Sequence, residues 1–102
     1  MEPDRRKHRR LAVQSPVIVS LGNSKVGLLF DLSEGGLSVH GIVPDKEGQF
    51  KFVAFQLPKI DGLIVGRTEI TWSSESANRT GLRFVQLGVQ STNQLRDWLY
   101  GS

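Results

Sequence analysis

The chain has no cysteine among its 102 residues. That excludes disulfides, thiolate nucleophiles and zinc sites built on sulfur. Aromatic residues make up only 8%, and no strand carries a patch of Lys and Arg with interleaved aromatics as the stacking platforms of single-strand nucleic-acid binders do. No apolar run approaches the ~18 residues of a membrane span, and no apolar stretch follows the charged N-terminus as in a secretory signal. A soluble, cytoplasmic protein without membrane insertion is expected. The two histidines, His8 and His40, stand in no metal-ligand spacing, so no metal site is expected. Phosphate-loop and dinucleotide-loop glycine patterns are missing. Ser33, His40 and Asp31 can be written as a triad, but Ser33 lacks the G-x-S-x-G elbow. Carboxylates are scattered rather than paired. Nothing in the sequence argues for catalysis, and a non-enzymatic protein is expected.

What the chain does have is charge in one place. Its formal net charge is +3. Arg5, Arg6, Lys7, Arg9 and Arg10 oppose Glu2 and Asp4 in the first ten residues, while the rest of the chain carries eight basic and eight acidic side chains. The whole excess therefore sits in one decapeptide ahead of a neutral body. Such an arm attracts phosphate, whether of nucleic acid, lipid headgroup or nucleotide.

The body alternates short apolar stretches with turn signals. Val17–Leu21, Val26–Leu32, Leu37–His40, Phe50–Leu57, Leu63–Trp72 and Gly81–Val85 read as six strands. Gly22-Asn23-Ser24, the 44–48 loop and the 58–62 loop read as turns. Phe50, Phe52 and Ala54 share one face of the fourth stretch and Val53, Phe55 and Leu57 the other. That predicts either two covered faces or a bulge that switches them. The apolar phase of the fifth stretch shifts across Gly66, which predicts a bulge or barrel bend. Leu95, Trp98 and Leu99 follow helical spacing and predict a C-terminal helix whose apolar stripe plugs the sheet. Ser91 with Gln94 fits a capping box, with Gly88 as the other candidate cap. One all-β domain results, a small antiparallel barrel or sandwich with a C-terminal α-helix. It divides into a basic arm, residues 1–12, and a barrel, residues 13–102.

Two motifs carry chemistry. Arg6-Lys7-His8-Arg9-Arg10 is an R-x-x-x-R with Arg5 just before it. Asp31-Leu32-Ser33-Glu34-Gly35-Gly36 is a D-x-S-x-x-G at a strand end. Guanidinium groups offer paired donors to phosphate oxygens and to the O6/N7 edge of guanine. An Asp carboxylate accepts from guanine N1–H and N2–H₂, and a Ser hydroxyl bridges base, phosphate or backbone. Gly36 allows a positive φ or close approach of backbone to a ligand. Together they make a coherent site for an anionic guanine nucleotide. Taken singly, the arm reads as a solvated charge run and the second motif as a β-turn.

In this order and context the two motifs resemble the PilZ domain family, bacterial receptors for cyclic di-GMP. The resemblance runs from the arginine segment through DLSEGG, the strand ending at Trp72 and the Gly81–Val85 strand (GLRFV) to the closing helix. It implies a six-stranded antiparallel β-barrel with cyclic di-GMP on its outer wall, clasped by the arginine segment, and no cofactor beyond that ligand. Arg6, Arg10, Asp31, Ser33 and Gly36 fall on the family's motif positions. Arg5 falls where an arginine accompanies binding of two intercalated ligand molecules. Trp72 falls where some relatives border the base, and it also reads as a strand-end aromatic packed on the core. The resemblance implies an adaptor whose arm orders on binding and changes the surface offered to a downstream protein. The rival readings are a basic-armed barrel that binds nucleic acid, the weaker because the body is neutral, and a PilZ adaptor that works without ligand.

Overall fold

The computed structural model describes residues 10–12, 16–22, 25–41 and 48–101, with Arg10, Ala12 and Phe50 described by backbone alone. His8, Arg9, Asn23, Ser24 and most of the 44–48 loop lie outside these residues. Among them the chain forms seven strands and one helix: β1 (Arg10–Ala12), β2 (Ile18–Leu21), β3 (Val26–Ser33), β4 (Gly36–His40), β5 (Phe50–Phe55), β6 (Ile64–Ser74), β7 (Arg79–Leu87) and α1 (Val89–Tyr100). All pairings are antiparallel. The six strands β2–β7 close on themselves in the order β3-β2-β5-β6-β7-β4 and back to β3. This is the expected six-stranded barrel with its C-terminal helix.

Closure follows from the side-chain pattern. Alternate residues of each strand point inward, and Val19, Leu29, Leu32, Leu37, Val39, Val53, Phe55, Ile64, Ile70 and Leu82 form one buried core. Helix α1 adds Leu95 and Leu99 to that core, with Trp98 packed against its margin. Removing these apolar surfaces from water is the main favourable term, about 1.5–3 kcal/mol for each large side chain.

Three local expectations are revised, and the bulge expected at Gly66 is found beside it. β1 was not among the six strands read from the sequence: its three residues pair with the end of β3. The capping box does not form. Gly88 is the N-cap of α1 and offers no side chain, and Ser91 lies inside the helix. There the Ser91 hydroxyl accepts a hydrogen bond from the Val65 amide at 3.1 Å, tying α1 to β6. On β5 only one face is covered. Val53, Phe55 and Leu57 are buried, Phe52 is 69% exposed, and the register with β6 runs unbroken. Bulges occur on other ladders: β3–β4 has one, with Phe30 the extra residue, and β6–β7 has two. One begins at Arg67/Thr68, next to Gly66, where the extra residue is Val85 on β7; the other places Thr71 as the extra residue on β6.

The helix is thus a structural wedge whose buried stripe is central to the core. Leu95, with no exposed surface, leaves a cavity on truncation. Leu95→Ala is expected to lower unfolding free energy by about 2–5 kcal/mol, checked by urea denaturation.

Candidate functional site

The β3–β4 turn is where the second motif folds. Leu32 pairs with Leu37 and Asp31 with Ser38, so strand alternation puts the two leucines inside and Asp31 and Ser38 on the outer wall. The Ser33 hydroxyl closes the turn locally. It accepts from the Gly35 amide at 3.2 Å and donates to the Gly36 carbonyl at 3.4 Å. The Gly35 carbonyl accepts from the Phe84 amide of β7 at 2.9 Å. Gly36 pairs with Arg83 of β7, and a Cβ at Gly36 would lie 2.2 Å from the Leu82 carbonyl oxygen. Its φ is not positive. The missing side chain therefore accommodates the neighbouring strand rather than an unusual dihedral.

Register builds a row across five strands. Trp72 pairs with Gly81, Gly81 with Ser38, Ser38 with Asp31 and Asp31 with Ala12. The Trp72 indole, 39% exposed, rests on Gly81, where a Cβ would stand 2.2 Å from its Nε1. It belongs to this outer row and not to the buried core. The Ser38 hydroxyl donates to Asp31 Oδ1 at 2.6 Å and holds the carboxylate in one orientation. The adjacent row runs from Glu69 to Arg83 to Gly36, and Arg83 is ion-paired with Glu69.

Asp31, Ser33, Gly36 and Trp72 thus share one wall. Arg10, the described residue of the first motif, opens β1, whose pairing sets Arg10 opposite Ser33, Leu11 opposite Leu32 and Ala12 opposite Asp31. Arg5 and Arg6 lie outside the described residues. The wall carries a half-buried carboxylate acceptor and a partly exposed indole, groups that suit a purine base, while the Ser33 and Ser38 hydroxyls are buried and bonded within the protein.

Sequence reasoning passed over Ser38, Gly81 and Glu34. Ser38 was findable, since strand alternation from Leu37 places it beside Asp31; Gly81 acquires meaning only when Trp72 lies on it. Glu34, between Ser33 and Gly35, bonds Arg96 and Tyr100 of α1. The hydrogen bond from Arg96 to Glu34, and then the charge of Glu34, raise the Arg96 pKa above its ordinary value. His40 sits at the other end of the hairpin, opposite Leu28. Its ring packs edge-on to Phe30 at 5.0 Å, and Arg79 lies 4.1 Å over the same Phe30 ring. The Ser33–His40–Asp31 triad is therefore not assembled. Among the described residues no cluster of three His, Asp or Glu could hold a metal ion. Nor is any helix among them long and apolar enough to cross a membrane.

This barrel, with Arg10 set by register opposite Ser33, defines the class. The PilZ domain family matches residues 4–101, and the chain belongs to that family. No curated protein sequence matches it. Among solved structures it is similar to the inhibitor of motility MotI/DgrA of Bacillus subtilis, at 14% identity and a TM-score of 0.77, over 96% of this chain and 50% of that one. It is similar to Escherichia coli YcgR in complex with c-di-GMP, at 18% identity and a TM-score of 0.77, over 94% and 45%. The isolated PilZ domain of YcgR with c-di-GMP aligns at 16% identity and a TM-score of 0.71, over 95% and 90%. The chain spans about half the length of MotI and YcgR.

The contact at Gly36 has a direct consequence. Gly36→Ala forces β4 and β7 apart at the turn. It is expected to cost about 1–3 kcal/mol of stability and to shift the amide resonances of Ser33, Gly35 and Arg83, read by denaturation and by heteronuclear NMR.

Proposed function

We propose that this chain is a non-catalytic cyclic di-GMP receptor in which the arm, residues 1–12, closes over ligand seated on the outer wall of the barrel, residues 13–102. The observation that carries this reading is the β1–β3 register, which sets Arg10, the last residue of R-x-x-x-R, opposite Ser33 of D-x-S-x-x-G. The ligand-bound structures of YcgR and of its PilZ domain, similar in fold, support it. In this account Arg6 and Arg10 neutralise the phosphates. Asp31, held by Ser38, accepts from the guanine N1–H and N2–H₂ edge, and Ser33 bridges ligand and backbone. Gly36 keeps the turn tight, and Trp72 borders a base. Arg5 favours a second, intercalated ligand molecule. Closure of the arm changes the outer surface, and a downstream protein in the cytoplasm reads that change.

Charge-assisted hydrogen bonds are worth about 1.5–3 kcal/mol each, so losing one motif arginine should weaken binding by roughly ten- to a hundredfold or more. Arg6→Ala and Arg10→Ala are each expected to weaken binding at least about tenfold in titration calorimetry, to the point of no measurable binding where the loss is larger, while the thermal midpoint stays put. Undiminished affinity in both variants would refute the assignment. The same titration of the wild-type chain gives the stoichiometry, with two ligands per chain expected from Arg5.

A further inference from the structure

Glu34 lies within the D-x-S-x-x-G turn, yet its carboxylate binds the helix. Oε2 accepts from Arg96 Nε at 2.8 Å and Oε1 from the Tyr100 hydroxyl at 2.7 Å. The two donors are four residues apart and so lie on one face of the last turns of α1. They span 62 and 66 residues of sequence back to the turn. The Glu34 side chain is only 17% exposed, whereas that of Arg96 is 58% exposed. A carboxylate so covered depends on its donors more than an open surface pair does.

The rest of α1 is fixed. Leu95 and Leu99 are in the core, and Ser91 is bonded to β6. The helix therefore presents Arg96 and Tyr100 from a rigid base, and Glu34 passes that rigidity to its neighbours in the turn. Those neighbours are Ser33, whose hydroxyl already closes the turn onto Gly35, and Gly35, whose carbonyl is bonded to β7. The turn is thus held from β7, from its own serine and from α1.

We infer that Glu34 is a positioning residue: through Arg96 and Tyr100 it couples helix α1 to the ligand-reading turn, so that helix docking and ligand binding strengthen each other. This rests on the cyclic di-GMP reading above and goes on to name a regulatory handle for that site. Coupling of this kind is reciprocal. Whatever the docked helix adds to ligand affinity, bound ligand returns to the helix as less frequent opening of its last turns.

The test uses the full chain with cyclic di-GMP, read by titration calorimetry and by amide hydrogen exchange. Helix-side variants leave the turn intact, and both donors are solvent-exposed, so Arg96→Gln with Tyr100→Phe keeps the fold, as circular dichroism will verify. That double variant is expected to bind about three- to tenfold more weakly than wild type. Glu34→Ala should lose a similar factor, and the combination of all three changes should lose no more than Glu34→Ala alone. Saturating ligand should slow exchange at residues 96–100 in wild type and leave it unchanged in the double variant. A clasp that only stabilises the fold would lower the thermal midpoint while affinity and ligand-dependent exchange stayed at wild-type values, and that result would overturn the inference. Wild-type protein that fails to bind cyclic di-GMP would instead overturn the receptor reading, and the coupling with it.

Discussion

β3 changes partner along one edge. Its first residues pair with β2, and its last three, Asp31–Ser33, pair with Arg10–Ala12. On its other edge it pairs with β4 and closes the barrel. The end of β3 is therefore flanked on both sides, and the D-x-S-x-x-G turn projects from a strand that cannot easily twist away. The same pairing sets Arg10 opposite Ser33, and Leu11 beside it packs against the core. Backbone hydrogen bonds supply the register, and register fixes which residues meet.

The wall beside the turn depends on side chains that are missing. Gly36 lets β4 approach the Leu82 carbonyl, and Gly81 lets the Trp72 indole lie flat on the sheet. Both glycines sit where any Cβ would collide, so the wall is flat because two strands carry nothing at those points. Ser38 pairs directly with Asp31 across β3–β4 and holds its carboxylate in one orientation. The apolar interior beneath, Ile70, Leu82, Leu37 and Leu32, keeps this outer row in register.

Much of the architecture was legible. Six alternating stretches correspond to β2–β7, because a barrel interior demands alternation strand by strand. The apolar stripe Leu95, Trp98, Leu99 marked α1, because helical spacing gathers those residues on one side. The two motifs were visible as residue types with matching chemistry. β1 was not legible, since Arg10-Leu11-Ala12 has a single large apolar side chain and becomes a strand only because β3 offers it an edge. The capping box misled because Ser91 has a better partner in the Val65 amide, 26 residues away. The exposure of Phe52 fits neither alternative drawn from its strand, two covered faces or a bulge, because hydrophobicity says nothing about whether another element lies over a residue.

Residue identity alone settled the strand count of the ring, the closing helix, the confinement of excess charge to the first ten positions and the chemical kinds of group available. Each of these depends on local alternation or on composition, which the linear order of residues carries in full. The meeting of Arg10 with Ser33, the orientation of Asp31 by Ser38, the seat of Trp72 on Gly81 and the hold of Glu34 on Arg96 and Tyr100 were decided only in three dimensions. They join positions from seven to 66 residues apart, and such contacts exist only once sheet register and helix docking have been chosen by burial of the common core.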